Sequence, residues 1–184
     1  FIEQEERILR PINFPAGAPG RGFGLFKTKD GVKVGVINVN GRVFMEALEC
    51  PFKRSKEAVE ALSKETNIII VDIHAEATSE KVALGWYLDG KVCAVLGTHT
   101  HIQTADEKIL FQGSAYLTDA GMTGPYDSVI GRRVENVLER FLTAVPVRFE
   151  VASENVQLHG AVLDVDEKTG KARSIVRIQR KLII

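Results

Sequence analysis

The sequence lacks several features that would assign the protein to a simple class. Its two cysteines, Cys50 and Cys93, stand far apart, which argues against a disulfide framework and favours a reducing, cytoplasmic setting. The 24 basic residues equal the 24 acidic ones, so no overall field draws the chain to nucleic acid or to an anionic membrane. No apolar run approaches the roughly 20 residues that cross a bilayer. We therefore expect no membrane association and no direct nucleic-acid patch.

Length and hydrophobicity predict one mixed α/β domain over residues 1–184. The chain is 45% hydrophobic and shows no internal repeat, which suits a single globular core. No signal-peptide pattern is visible in these residues, and we expect none. The first residue is Phe1 instead of an initiator methionine, so we expect these residues to be the C-terminal portion of a longer chain.

The first half of the chain predicts a β-hairpin followed by the strands of a parallel sheet. Asp30-Gly31 separates two β-prone runs, 23–28 and 32–39, as a tight hairpin turn requires. A helical pattern over 53–64 is followed by an apolar strand at 67–74. A second helix begins near Thr78 or Ser79, either of which could cap it. A buried strand at 91–97 completes a β-α-β-α-β order, which is typical of parallel strands flanked by helices.

The second half predicts short and antiparallel elements. Two short strands are expected around Gln112-Gly113, and residues 120–131 are glycine-rich enough to predict a loop. A helix is predicted over 133–143. The tail, beginning with "VRFEVA" at 147–152, alternates apolar and polar residues. It predicts an antiparallel meander with a turn at 168–171, in which His159 is an ordinary strand residue.

Three of the four histidines stand at or just beyond the ends of two predicted buried strands. His74 closes the first strand, and His99 and His101 follow the second in "GTHTH". In extended backbone, residues i and i+2 point to the same side, while Thr98 and Thr100 point away. Because ligands gather at the carboxyl ends of parallel strands, we expect the three imidazoles to converge. Each histidine alone could be structural, but together they indicate a metal site for Zn, Fe, Mn, Co or Ni.

Nearby carboxylates could ligate the ion or orient the imidazole rings. The candidates are Asp72, Glu76 and Asp106.

Long stretches of the chain resemble one known family. "VDIHAEATSEKVALGWYLDGKV", "VLGTHTHIQTAD" and "YLTDAGMTGPYDSVIG" closely resemble the YmdB-like bacterial metallophosphoesterases of the calcineurin-like superfamily. The GHxH signature of that superfamily appears as Gly97 with His99 and His101. The family includes 2′,3′-cyclic nucleotide 2′-phosphodiesterases. The resemblance implies a calcineurin-like β-sandwich flanked by helices, N-terminally incomplete in this sequence.

The resemblance also implies a dinuclear metal site. It would hold two ions, iron or manganese with zinc as the alternative, with His74 and His99 on one ion and His101 on the other. The family's remaining ligands and its catalytic histidine belong to a segment that this sequence does not contain, so no catalytic residue is assigned. A hydroxide activated by the metals would attack phosphorus in a cyclic nucleotide or similar small phosphodiester. For these 184 residues alone, this arrangement implies weak or absent activity.

Two other functions stay open on the sequence. The fold could serve as a non-catalytic regulatory protein that binds a nucleotide or an RNA-processing partner. A mononuclear three-histidine zinc hydrolase, complete within this chain, is a third option. In each case we expect a homo-oligomer.

Overall fold

A computed structural model describes residues 1–182 of the chain. Its helices are α1 (Pro51–Leu62), α2 (Thr78–Leu88) and α3 (Val134–Thr143). Its strands are β1 (Phe23–Lys27), β2 (Lys33–Asn40), β3 (Ile69–His74), β4 (Ala94–Thr98), β5 (Lys108–Ile109), β6 (Ala115–Leu117), β7 (Thr123–Pro125), β8 (Val156–Val165) and β9 (Ala172–Lys181). In this described range, every helix is too short or too polar to cross a membrane.

The larger sheet has the strand order β1-β2-β3-β4-β6-β5. Strands β2, β3, β4 and β6 run parallel, whereas β1 and β5 are antiparallel additions at the two edges. The predicted antiparallel hairpin is confirmed, although its turn has positive φ at Gly31 (+84°) and not at Asp30; the side-by-side parallel pairing of the two buried strands β3 and β4 is confirmed as well. This pairing brings the two histidine-bearing strand ends to one edge of the sheet.

A second sheet, in the order β7-β8-β9, is antiparallel and packs on one face of the first. Alternation along β3 shows the layering, since successive side chains of a strand point to opposite faces. Val71 and Ile73 pack with helices α1 and α2. Ile70 faces the other way and packs with Leu163 and Ile175 of the second sheet. The predicted mixed α/β fold is therefore confirmed, with helices on one side and a second sheet on the other.

Three local predictions were wrong. Neither Thr78 nor Ser79 caps α2, whose N-cap residue is Ala77 with no side-chain hydrogen bond. The loop predicted at 120–131 contains the short strand β7, which pairs with β8. Residues 147–152 form no strand of the meander. Their backbone instead bonds the segment before α3, where the Arg133 N–H donates to the Glu150 carbonyl at 3.0 Å.

Both cysteines are free. Burial raises the pKa of the Cys93 thiol to about 11, so this side chain stays un-ionised and packs as a small hydrophobe in the strand.

Candidate metal centre

Two of the three predicted histidines meet at the edge of the larger sheet. His74 is the last residue of β3, and His99 follows directly after β4. The Nδ1 atom of His99 lies 2.9 Å from the Nε2 atom of His74. The ring centroids are 4.6 Å apart, and the rings are nearly perpendicular, at 84°. The parallel neighbourhood of β3 and β4 therefore places two imidazole nitrogens in one small space.

A row of polar side chains across three strands orients His74. Asn38 of β2 donates to Asp72 of β3 at 2.7 Å, and the Thr98 hydroxyl of β4 donates to the other Asp72 oxygen at 3.0 Å. The same Thr98 oxygen lies 3.2 Å from His74 Nδ1. Burial raises the pKa of Asp72, and the hydrogen bonds from Thr98 and Asn38 offset only part of that effect. The Asp72 carboxylate therefore acts on His74 through Thr98, as an outer group that orients a metal ligand does.

When Asp72 is ionised, these contacts favour the tautomer of His74 that carries its proton on Nδ1. Thr98 has one hydroxyl hydrogen and gives it to Asp72, so its oxygen accepts from His74 Nδ1–H. The Nε2 atom of His74 then has a free lone pair, which faces His99. Burial, followed by the proximity of His99, lowers the pKa of His74, so its imidazole favours the neutral form that metals bind.

Glu76 holds the far side of His99. Its Oε2 lies 3.1 Å from His99 Nε2, and this pair is partly exposed. When Nε2–H donates to Glu76, the Nδ1 atom of His99 has a free lone pair and lies beside the free lone pair of His74. Two lone pairs at 2.9 Å repel each other unless a proton or a cation lies between them.

The donor set of this pair fits a metal ion. Imidazole nitrogens bind zinc at about 2.0–2.1 Å, so two such ligands of one ion would be roughly 2.8–3.4 Å apart, from an octahedral to a tetrahedral angle. The observed 2.9 Å separation suits two neighbouring ligands of one ion. Both rings also have an outer hydrogen-bond partner, as ligating histidines usually do.

His101 does not join this pair in the structure. Its Nδ1 atom lies 3.0 Å from the Ile130 carbonyl oxygen, and the residue is exposed. The extended-backbone argument for His99 and His101 was wrong, because their φ angles are +105° and +68°. The outward direction of Thr98 was wrong too, since its hydroxyl contacts Asp72 and His74. Within residues 1–182, no three His, Cys, Asp or Glu side chains are grouped closely enough to hold an ion. Ligation by His101 stays a prediction.

The hydrogen-bond partners of Asp106 are threonines of neighbouring loop segments and not the imidazoles. Asp106 accepts hydrogen bonds from the hydroxyls of Thr104 and Thr118. Burial raises the pKa of Asp106, but these hydrogen bonds outweigh burial and leave the pKa below its ordinary value. His159 lies in β8, where it stacks on Tyr126 with ring centroids 4.1 Å apart.

A buried ion pair that sequence reasoning missed anchors the histidine loop. Lys81 Nζ lies 3.0 Å from Asp119 Oδ2, and both side chains are fully buried. The backbone N–H and the hydroxyl of Thr100 donate to the same Asp119 oxygen, at 3.0 and 2.7 Å. One signal was available in the sequence: Lys81 shares a helical face with the core residues Leu84 and Leu88.

Gly97 brings the end of β4 against the chain after β6. A Cβ atom added at Gly97 would lie 1.7 Å from the Thr118 carbonyl oxygen. The Ala120 N–H also donates to the Gly97 carbonyl at 2.8 Å, so a backbone hydrogen bond holds the two segments together. A side chain at position 97 would therefore displace the segment that holds His99.

The paired imidazoles open onto a shallow cleft. Its lining combines polar and apolar side chains: Pro11, Phe14, Asn40, Phe44, Met45, Glu46, His74, Glu76 and His99. A ligand in this cleft would therefore have both imidazoles and several apolar side chains within reach.

The chain is similar to known proteins over nearly its whole length. The sequence model of a family described as YmdB-like protein matches residues 1–178. The chain is 50% identical over 178 residues to the 2′,3′-cyclic-nucleotide 2′-phosphodiesterase of Bacillus subtilis (strain 168), covering 97% of this chain and 67% of that protein.

Two crystal structures have a fold similar to that of this chain. A hypothetical protein from Thermus thermophilus matches with a TM-score of 0.91 and 40% identity, over 98% of this chain and 69% of its own. A novel phosphatase from Mycoplasma pneumoniae matches with a TM-score of 0.88 and 35% identity, over 98% and 65%. The chain spans about two thirds of the length of each of these three relatives.

Proposed function

The chain belongs to the YmdB-like protein family, and from that membership we propose that it is a metal-dependent phosphodiesterase. Its substrates would be 2′,3′-cyclic nucleotides or similar small phosphodiesters, as the activity named for the Bacillus subtilis relative suggests. The single observation that supports this most strongly is the meeting of His74 Nε2 and His99 Nδ1 at 2.9 Å.

On this proposal the protein uses two metal ions, iron or manganese with zinc as the alternative. His74 and His99 would hold one ion, and His101 would help to hold the other. When bound, such ions would supply a hydroxide at neutral pH and stabilise negative charge on the phosphoryl oxygens. We also assign the two packed sheets to a calcineurin-like β-sandwich, and we place the protein in the cytoplasm as a homo-oligomer.

The roles of this chain's own residues follow from their contacts. Thr98 and Asp72 hold His74 in the tautomer with a free Nε2. Glu76 contacts Nε2 of His99 and so favours the tautomer with a free Nδ1. The Lys81–Asp119 pair fixes Thr100, one residue beyond His99. We assign no general acid among residues 1–182, because the groups that contact the pair are engaged in orienting its rings.

The mononuclear three-histidine hydrolase is not proposed. It needs three imidazoles around one ion, and the structure brings two together while His101 binds the Ile130 carbonyl.

The test is a turnover measurement with identification of the product. The intact protein, loaded with Mn²⁺, should convert adenosine 2′,3′-cyclic monophosphate to the 3′-monophosphate, because the 2′-oxygen leaves. His99→Ala should reduce turnover at least 100-fold, whereas His159→Gln, which alters the histidine stacked on Tyr126, should not. Turnover unchanged in His99→Ala, or formation of the 2′-monophosphate, would contradict the proposal. A cellular effect that survives His99→Ala would instead favour the regulatory alternative.

A further inference from the structure

Phe44 is an unusual residue beside the candidate metal centre. Its side chain is 89% exposed, although burial of a phenylalanine is normally favourable. Its backbone has a φ of +61°, in the left-handed region that residues with bulky side chains rarely adopt. Strained conformations of this kind persist where the surrounding structure enforces them, and they cluster at ligand sites. The exposed ring and the strained backbone coincide at one residue.

The turn that carries Phe44 is held from several sides. The backbone N–H groups of Arg42 and Val43 both donate to the Glu80 carboxylate, at 3.0 and 3.2 Å. The Gly41 N–H donates to the carbonyl of His74 at 2.8 Å. On the other side of Phe44, the Met45 side chain packs against the hydrophobic core. Phe44 is therefore presented by a fixed turn that is tied directly to a histidine of the pair.

The ring lies on the same cleft as the two imidazoles. Phe44, His74 and His99 all line it, together with the apolar side chains of Phe14 and Met45. A ligand whose phosphate sits at the imidazoles could therefore place its remaining atoms against these aromatic and apolar side chains. A flat aromatic group suits such a wall because stacked rings gain from both apolar burial and their quadrupoles.

We propose that Phe44 is the stacking platform for the nucleobase of the substrate. This inference rests on the proposed function and names the part of the substrate that the cleft recognises. Every base has a π-face, so stacking on Phe44 should accept all four bases, with purines bound more tightly because they overlap the ring over a larger area. The metal centre would bind the phosphate of the substrate.

Equilibrium binding separates this role from catalysis. The probes are adenosine 3′-monophosphate and ribose 5-phosphate, which lacks a base, titrated calorimetrically into the intact Mn²⁺-loaded protein. Phe44→Ala should weaken adenosine 3′-monophosphate binding roughly 5- to 150-fold, the range expected from one lost base stack. Binding of ribose 5-phosphate should stay within twofold of wild type. Phe44→Trp should retain nucleotide affinity, because it keeps a stacking ring.

Two further variants control for folding and for general surface effects. Phe44→Asn removes the ring with a residue that tolerates positive φ, so it should weaken nucleotide binding without lowering the unfolding temperature. Phe111→Ala removes another highly exposed phenylalanine, 93% exposed, which packs on Trp86, and should leave both affinities unchanged.

The outcomes distinguish this inference from the proposed function. Equal losses for both probes in Phe44→Ala, or no loss for the nucleotide, would overturn the stacking role while hydrolysis could still stand. Selective loss of nucleotide affinity in a protein that hydrolyses no phosphodiester would support the stacking role and refute the proposed function.

Discussion

His74 Nε2 and His99 Nδ1 lie 2.9 Å apart, and the second nitrogen of each ring is engaged by a different neighbour. Thr98 contacts the other nitrogen of His74, and Glu76 contacts that of His99. These outer contacts leave the two facing nitrogens without any other hydrogen-bond partner among the described residues. This arrangement fits the proposal that the two histidines share an ion, and the surrounding residues should maintain the pair in ways that can be measured.

Thr98 should matter through the histidine that it orients. Thr98→Val keeps the shape of the side chain but removes the hydroxyl that joins Asp72 to His74. Loss of an outer partner of this kind typically weakens metal binding about 10- to 100-fold. We expect that loss in a Mn²⁺ titration of Thr98→Val, and near wild-type affinity in Thr98→Ser, which restores the hydroxyl. Equal affinity in Thr98→Val and wild type would show that the hydroxyl has no orienting role.

Breaking the buried ion pair should destabilise the whole fold. Lys81→Met leaves the Asp119 carboxylate buried without its cation, which typically costs about 3–5 kcal/mol. The free energy of unfolding in urea should fall by that amount. Lys33→Met is the control, because it breaks the exposed pair with Glu65; this variant should unfold at the same urea concentration as the wild-type protein.

A double variant checks the reason for that loss. Adding Asp119→Asn to Lys81→Met removes the unpaired charge, so part of the lost stability should return. If the double variant is as unstable as the sum of the two single variants, charge pairing is not the cause.

The Asp119 carboxylate should contribute to acid stability. Burial raises the pKa of Asp119, but the hydrogen bonds from Thr100, Gly121 and Lys81 outweigh burial and leave it below the ordinary value of 3.8. When the pKa of a carboxyl group is lower in the folded than in the unfolded protein, the group contributes its full stabilisation at pH values above the unfolded-state pKa. That stabilisation is lost as the pH falls through the folded pKa.

The comparison of wild type with Asp119→Asn measures this contribution. The stability advantage of wild type should be constant at neutral pH and should shrink once the pH drops below about 3.8. Urea unfolding at a series of pH values checks it. An advantage that grows on acidification would mean that the pKa of Asp119 is raised instead.

Gly97 should not tolerate a side chain. Gly97→Ala would place its Cβ 1.7 Å from the Thr118 carbonyl oxygen, so the backbone next to His99 must move. Overpacking of this kind typically costs about 1–3 kcal/mol, and Mn²⁺ affinity should fall as well. Gly160→Ala is the matched control, because its added Cβ would have no neighbour nearer than 3.8 Å. Similar stability and metal affinity in the two variants would refute the steric argument.

Local patterns in the sequence were sufficient to predict most of the fold. The Asp30-Gly31 hairpin and the strand β3 follow from short-range signals, namely turn residues and continuous apolar runs. The parallel pairing of β3 with β4 follows from the helix between them. This pairing in turn placed His74 and His99 at one edge, which is why their meeting could be anticipated.

The finer geometry of the site depended on contacts that sequence spacing does not encode. Asn38, Asp72 and Thr98 form their row because three strands pair in a particular register. Lys81 and Asp119 are 38 positions apart, and only the packed fold makes them partners. The positive φ angles of His99 and His101 arise where the chain turns sharply after β4, so an argument from extended backbone could not hold there.

Pulsed electron paramagnetic resonance of bound Mn²⁺ tests the central claim most directly, because it counts the nitrogens that are bonded to the ion. For the intact protein, we predict ¹⁴N couplings from two imidazoles on one Mn²⁺ ion, and loss of one coupling in each of His74→Ala and His99→Ala. Couplings that are absent in the wild-type protein, or that are unchanged in both variants, would contradict the claim that these two histidines hold a metal together.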